Sequence, residues 1–293
     1  MIDRTVKIYD VSGSTYTHTA TLQGHEGPVW EVSWAHPKYG VVLATCSFDG
    51  SVLLHRERAP GDWMVLSEHR NLHESSVNGV TFAPHEYGLI LASASSDGYI
   101  SVLSHNTDDT WDVAKFRDNA LGVNSVSWAP YGLYQDWGEE KEEEKKEDQR
   151  LRLVTGGCDN RIRFWIRDMN GTWTEDPDAV FGTSVSHSDW VRDVAWAPTS
   201  LAKQNMVASC SEDGSVIIWI HSSDGVWQPT LLNRFDAPVW RVSWSVTGNI
   251  LAISSGDSDV TLWKQQLGGE WSKVSTVTDV VAKSEGELSQ QQM

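Results

Sequence analysis

Five segments of this chain share one form, Val-x-x-Val-x-(Trp/Phe). They are Val29/Val32/Trp34, Val77/Val80/Phe82, Val123/Val126/Trp128, Val191/Val194/Trp196 and Val239/Val242/Trp244. A motif that recurs five times is a structural unit, and the chain is a repeat array. A second element follows each copy: "VVLATCSFDG", "LILASASSDG", "LRLVTGGCDN", "NMVASCSEDG" and "NILAISSGDS". Each is a short apolar run rich in β-branched residues. Each ends in a turn led by Asp49, Asp97, Asp159, Asp213 or Asp257, and three of those turns are Asp-Gly, a strong tight-hairpin signal.

A third element comes straight after the turn: "SVLLH", "YISVL", "RIRFW", "SVIIW" and "DVTLW". A fourth begins at Trp63, Trp111, Trp173, Trp227 or Trp271, usually after a Gly. Each unit therefore predicts four short strands. The turn Asp residues are 48, 62, 54 and 44 residues apart. Four strands in a repeat of about 40–45 residues mark an all-β, WD-type β-propeller. The opening "MIDRTVKIYDV" adds a fragment: Asp3 to Tyr9 matches the turn and third strand of a unit, and Thr19 to Leu22 its fourth. The sequence predicts five complete blades and the outer half of a first one, within a propeller domain of residues 1–280.

All but one of the 16 Trp fall on this lattice; the exception is Trp137. They read as core and blade packing. Trp30 and Trp240 occupy the first x of the motif, and a side chain there alternates away from the two Val. They are expected to pack between blades rather than to serve as hot spots for a partner.

Composition narrows the function. No apolar run reaches the 18 residues that would suggest a transmembrane helix, and the start shows no signal-peptide pattern. No membrane insertion is expected. Cys46 and Cys210 hold equivalent second-strand positions, which favours buried small hydrophobes and a reducing compartment over a disulfide. The net charge is −17. Direct nucleic-acid binding is not expected, because phosphate contacts need clustered Lys and Arg. Residues 139–150, "EEKEEEKKEDQR", hold seven acidic and four basic residues. They interrupt the first-to-second-strand connection of the Asp159 unit. The insert, about 136–150, and the tail, 281–293, are expected to be disordered, since neither can bury a core.

No catalytic signature stands out: there is no His-Glu-x-x-His, Gly-x-Ser-x-Gly, phosphate-cradling Gly loop or Cys-x-x-Cys. No catalytic residue, cofactor site or metal ligand is expected. His25 and His187 precede inner strands. In the Asp213 unit, His187, Ser209 or Ser211, Asp213 and Trp219 suit a buried hydrogen-bonded set, written here as His187, Ser211, Asp213 and Trp219. Its role is to satisfy buried polar groups, not to form a Ser-His-Asp triad. The other units keep the Asp and lose members, His55 and Leu103 standing where Trp219 stands.

The strings "GHEGPVWEVSWAHP", "YGLILASASSDG", "GGCDN", "HSDWVRDVAWAP" and "ILAISSGDSDVTLWK" closely resemble the small WD-repeat subunit of the COPII outer coat. That family also serves the Y-shaped nuclear pore scaffold complex and a TORC1-regulating complex at the lysosome or vacuole. The resemblance covers about residues 3 to 275. It implies an open six-bladed propeller that receives a seventh blade in trans from a large α-solenoid coat subunit or a nuclear pore scaffold nucleoporin, a form of β-augmentation. It implies a non-catalytic scaffold on the cytoplasmic face of the endoplasmic reticulum, on COPII vesicles and at the nuclear envelope. Family members carry a few tens more residues at the start, forming the first blade's two inner strands. With that family in view, the half blade at Arg4–Val11 and the last blade at Ala237–Lys264 are expected to flank the socket, with Val6, Ile8, Val239, Trp240 and Val242 at the partner interface. Two rival classes remain. A peptide-reading WD adaptor should carry basic or aromatic residues at the channel loops. A propeller hydrolase should show convergent carboxylates or a metal set.

Overall fold

Short β-branched runs, punctuated by Asp-Gly turns, can only pair with their sequence neighbours, and the computed structural model shows that arrangement. It describes residues 4–132, 150–198, 205–222, 225–256, 259–266 and 268–277. The acidic insert apart from Arg150, Trp137 and the tail all lie outside the described residues.

The described strands form six sheets. The first has two strands, β1 (Val6–Ser12) and β2 (Thr15–Leu22). The next three have four antiparallel strands each. They are β3 (Val29–Trp34), β4 (Val42–Ser47), β5 (Val52–Ala59) and β6 (Asp62–His69); β7 (Val77–Phe82), β8 (Ile90–Ser95), β9 (Tyr99–His105) and β10 (Trp111–Arg117); and β11 (Val123–Trp128), β12 (Arg152–Gly157), β13 (Ile162–Arg167) and β14 (Trp173–Glu175). The fifth sheet gains a two-residue strand, β15 (Val180–Phe181), parallel to the outer edge of β16 (Val191–Trp196), β17 (Met206–Ser211), β18 (Ser215–His221) and β19 (Val226–Arg234). The last is β20 (Val239–Trp244), β21 (Ile250–Ser255), β22 (Val260–Gln265) and β23 (Trp271–Val277). Together they are the blades of a WD-type β-propeller.

The turns follow from local chemistry. Gly50, Gly98 and Gly214 sit at φ 81, 82 and 78°, and Asn160 takes the same place at φ 69°. A Cβ at Gly50 would also stand 2.6 Å from the His73 carbonyl oxygen. Only Gly, or at some cost Asn, suits that corner.

The inner strand explains the motif that defines the repeat. Two Val three residues apart should face opposite sides of a regular strand. In β7, β11, β16 and β20 both are buried, because each inner strand carries a β-bulge after its first Val. Val29 is opposite Ser47 and Glu31 opposite Cys46, so Trp30 is the extra residue. The same shift recurs at Asn78, Asn124, Arg192 and Trp240. The bulge restores the second Val to the packed face.

The core lies between blades. Val77 and Val80 pack on Val42, Ala44, Val52 and Leu54 of the preceding sheet. Val191, Val194 and Trp196 join Val154, Phe164, Val207 and Trp227 in a second seam. Fully burying a Leu or Val of this kind contributes about 1.5–3 kcal/mol. Leu43, Leu53, Leu54, Leu91, Leu103, Leu153, Ile217 and Ile218 are among the largest wholly buried side chains. Inner strands β3, β7, β11, β16 and β20 pack on one another in chain order.

Candidate partner interface

From β7 onward each inner strand donates hydrogen bonds back to the inner strand before it. The Phe82 amide donates to Ser33 Oγ (3.3 Å), the Trp128 indole to the Thr81 carbonyl (3.1 Å) and the Trp196 amide to Ser127 Oγ (3.0 Å). The Trp244 indole donates to the Ala195 carbonyl (2.9 Å). Deeper on the axis the acceptors are carboxylates. Glu31 takes the Val80 amide (3.1 Å), and Asp193 takes the Val242 amide (3.0 Å) and the Ser125 hydroxyl (2.6 Å).

Past β20 the pattern meets the open side of the ring. There Arg241 reaches across to Glu31, 210 residues earlier in sequence, at 2.7 Å, with Asp193 at 3.8 Å. Burial raises the Glu31 and Asp193 carboxyls above their usual range, and the Arg241 guanidinium opposes that rise at both. One cation thus holds two axial carboxylates and joins the first inner strand to the last.

The blade faces on either side of this opening are uncovered. Val32 is 44 % exposed and Trp34 52 %, whereas their equivalents Val80 and Trp196 are 2 % and 6 % exposed. Among the described residues the sheet that precedes them has only β1 and β2. On the last blade, Ile250, Ala252 and Leu262 are only half-buried, whereas Val42, Ala44 and Leu54, in the same register four blades earlier, are wholly buried. Val6 and Ile8 are half-buried on β1, which pairs with β2 alone.

This placement corrects part of the expected interface. Val239 and Val242 do not face the opening; they are buried against Ala208, Cys210, Val216 and Ile218 of the preceding blade. The bulge is the reason, since it turns both Val to the same, backward-facing side. The forward face of the last blade belongs instead to Ile250, Ala252 and Leu262. Trp240 is the bulge residue and is exposed at one end of the axis. Trp30 lines one depression with it, and its indole donates to Ser76 of the next blade at 2.9 Å.

The polar set of the Asp213 blade also differs in one member. His187 Nε2 meets Ser209 Oγ at 2.7 Å, and the Trp219 indole donates to the same oxygen at 2.9 Å. His187 Nδ1 meets Ser215 Oγ at 2.8 Å, and that hydroxyl donates to Asp213 at 2.5 Å. Ser211 is outside this chain; it donates to the Asp189 carbonyl and accepts the Asp213 amide. Ser209 lies on the face of β17 that Trp219 shares, and Ser211 lies at the strand end. Burial raises the Asp213 carboxyl, but the His187 ring 3.9 Å away and bonds from the Ser188 amide and Ser215 outweigh it and hold it far below the usual range. Asp49 is held down to about 2 by bonds from Ser51 and the Glu26 amide that outweigh its burial.

Two counterparts escaped the sequence reading. His73 bonds Asp97 (3.0 Å) and Ser93 (3.0 Å). Asp118 takes the His place beneath Trp165 and Thr155, with Arg163 at 3.1 Å. His73 stands four residues before Val77, as His25 and His187 do before theirs, so spacing could have found it. Asp118 had no such signal. Among the described residues no group of three His, Cys, Asp or Glu is placed to hold a metal.

A family model described as "WD domain, G-beta repeat" matches residues 16–56, 65–104, 111–165, 180–219 and 229–264. Four of these segments begin on the outer strand of one sheet and run through the first three strands of the next, so the repeat is offset by one strand from the blade. The chain is 44 % identical to the "Protein SEC13 homolog" of Drosophila melanogaster, over 87 % of this chain and 70 % of that protein. It is 43 % identical to the "Protein transport protein SEC13" of Yarrowia lipolytica, over 94 % of this chain and 90 % of that one. The chain belongs to the SEC13 family of WD-repeat proteins. A further SEC13 relative, from Lodderomyces elongisporus, is 48 % identical over 87 % of this chain and 83 % of its own length. Among the described residues no helix is long and apolar enough to cross a membrane.

Proposed function

We propose that this SEC13-family chain is a non-catalytic scaffold of the COPII vesicle coat and of the nuclear pore Y-shaped complex, and that a large α-solenoid subunit completes its ring with a blade in trans. The observation that carries this reading is the pair of uncovered faces, Val32 and Trp34 on one side and Ile250, Ala252 and Leu262 on the other. Apolar blade faces left open favour a covering partner. The relatives named protein transport proteins support a place in the secretory pathway. The nuclear pore and lysosomal assignments rest on the family resemblance alone.

Affinity purification followed by mass spectrometry tests the reading. The wild-type chain should recover a large α-solenoid coat or pore subunit. Val32→Asp and Leu262→Asp should lose it, while Val113→Asp, on the exposed face of β10, should keep it. Recovery undiminished in both socket variants would overturn the proposal.

A further inference from the structure

We propose that a slot between the β11–β14 sheet and the β16–β19 sheet binds the free N-terminus of a partner polypeptide. The slot is a place where part of a strand is missing. In four sheets the outer strand pairs with the third strand from its first residue onward: β6 reaches Val52, β10 reaches Tyr99, β19 reaches Ser215 and β23 reaches Val260. By contrast, β14 pairs only with Trp165, Ile166 and Arg167. One more bond follows, from the Asp176 amide to the Phe164 carbonyl (2.8 Å). The chain then leaves for the next sheet as β15, opposite Val226 and Trp227. Asp-Pro-Asp at 176–178 is the reason. Had β14 run on, Asp178 would stand opposite Ile162, in the apolar seam that holds Ile162, Phe164, Phe181 and Trp219. A carboxylate buried there without a partner is costly, and Asp178 is exposed instead.

Among the described residues no other strand takes the vacated place. Phe164 accepts its bond from the outer side, so the N–H and C=O of Ile162, two residues earlier, also face outward. They stand at a cavity of about 520 Å³ that Phe181, Val185 and Trp219 line with apolar surface and Arg161 and Glu175 with charge. The crossing segment is fixed on β19 and does not refill the slot. Its Gly182 amide donates to the Trp227 carbonyl (2.9 Å), and the Phe181 ring lies 5.5 Å from the rings of both Phe164 and Trp219.

Three features select the occupant. An outward N–H and C=O on one residue form a bonded pair with a residue of an antiparallel strand. Asp176 closes the slot at the Phe164 end, so an incoming chain on the track of β14 has to begin there, and on that track the end beside Asp176 is an N-terminus. Its α-ammonium then lies beside Glu175, an exposed carboxylate with no cation within 4 Å among the described residues. The first residue stands opposite Arg163, whose charge Asp118 and Asp159 already hold. The second stands opposite Ile162 and has to be small, because Phe181 fills the seam beside it. The third stands opposite Arg161, an exposed guanidinium with no carboxylate within 4 Å among the described residues, and is acidic. The ligand class is a chain that begins with a free amine, one residue of any kind, a small residue and an acidic one.

The test titrates the full chain against the peptide Ser-Ala-Glu-Gly-Gly-Lys, with its α-amine free and fluorescein on the Lys side chain. Anisotropy should show saturable binding with a Kd below about 1 mM. Acetylating the α-amine, N-methylating the Ala or exchanging Glu for Lys should each weaken it about tenfold or more. Glu175→Gln and Arg161→Glu, both at exposed positions, should do the same. Hydrogen exchange locates the site. Without peptide the Ile162 amide should exchange faster than that of Val216, its counterpart on β18 that faces Asn233. Peptide should slow Ile162 and leave Val216 unchanged. The proposal is overturned if binding does not saturate, if the acetylated or N-methylated peptide binds as tightly, or if either variant binds like the parent chain. It is equally overturned if the Ile162 amide is already as protected as that of Val216, for then residues 176–178 fill the slot themselves.

Discussion

Trp34 and Trp196 occupy one register on two inner strands, and replacing each with alanine should have opposite consequences. A Trp side chain buries about 200 Å² when fully enclosed. Trp196 is 6 % exposed, its indole donates to Asn205 at 2.8 Å, and its ring packs edge-on to Phe164 and Trp227. Its loss should cost about 3–5 kcal/mol through the cavity left behind. Trp34 is 52 % exposed, with Trp63 as its aromatic neighbour at 6.0 Å. About half its surface is already in water, so its loss should cost the free chain about 2 kcal/mol or less. The remaining exposed half, about 100 Å², is available to a covering blade. At about 25 cal/mol/Å² it contributes about 2–3 kcal/mol to binding, or roughly 30- to 150-fold in Kd. Urea unfolding followed by circular dichroism measures the first quantity, and titration calorimetry with the large coat subunit the second. The reasoning fails if Trp34→Ala is as destabilising as Trp196→Ala, or if it binds the partner as tightly as the parent chain does.

Other perturbations separate the remaining assignments. Ser209→Ala strips a hydrogen-bond partner from His187 and the acceptor from the buried Trp219 indole and should cost about 1–3 kcal/mol in urea unfolding, with Ser209→Thr restoring part of it. His55, buried beside His25, has its pKa lowered to about 4, so the folded state prefers the neutral ring. Its contribution is complete above the unfolded value of about 6.5 and lost as pH falls toward 4, amounting to about 3 kcal/mol. His55→Leu, the residue found at the equivalent Leu103, should flatten that part of the stability profile in chemical unfolding measured from pH 7 to 4. Arg241→Met leaves Glu31 and Asp193 facing each other without a cation, which should cost about 3–5 kcal/mol at pH 7. Both carboxyls then titrate above their unfolded values, so the loss should shrink as pH falls through that raised range, and a loss equal at pH 7 and pH 5 would refute it.

The blade repeat was legible because packing imposes it: Val, Val and Trp return at fixed intervals wherever one sheet covers the next. The side to which those residues point was not legible. Alternation assigns Val239 and Val242 to opposite faces, and only the register reveals the extra residue between them that brings both to the buried side. The same bulge carries Trp30 and Trp240 out of the core, where composition would place them. Ser209 and Ser211 are two residues apart on β17 and chemically identical; the choice between them depends on which one lies under Trp219. Asp118 replaces a His in a role set by Thr155 and Trp165, and no short motif announces that exchange. The uncovered faces could be anticipated only as a missing unit, since Val32 and Trp34 are the same residue types as their buried counterparts.

Arg241 and Glu31 lie at the two ends of what is otherwise a row of nearest-neighbour contacts. Each seam joins one sheet to the next, so local stability should be highest in the middle of the row and decline toward both ends, as in any linear array. Opening at β20–β23 costs nothing at β3 unless something ties them. The ion pair is such a tie, and it makes the two ends fray together rather than separately. A protein that grips either end therefore protects amides some 200 residues away along the chain, with no rearrangement in the blades between. Amide exchange at β3 should slow when only the last blade is covered, and Arg241→Met should abolish that distant protection while leaving protection at the covered blade itself.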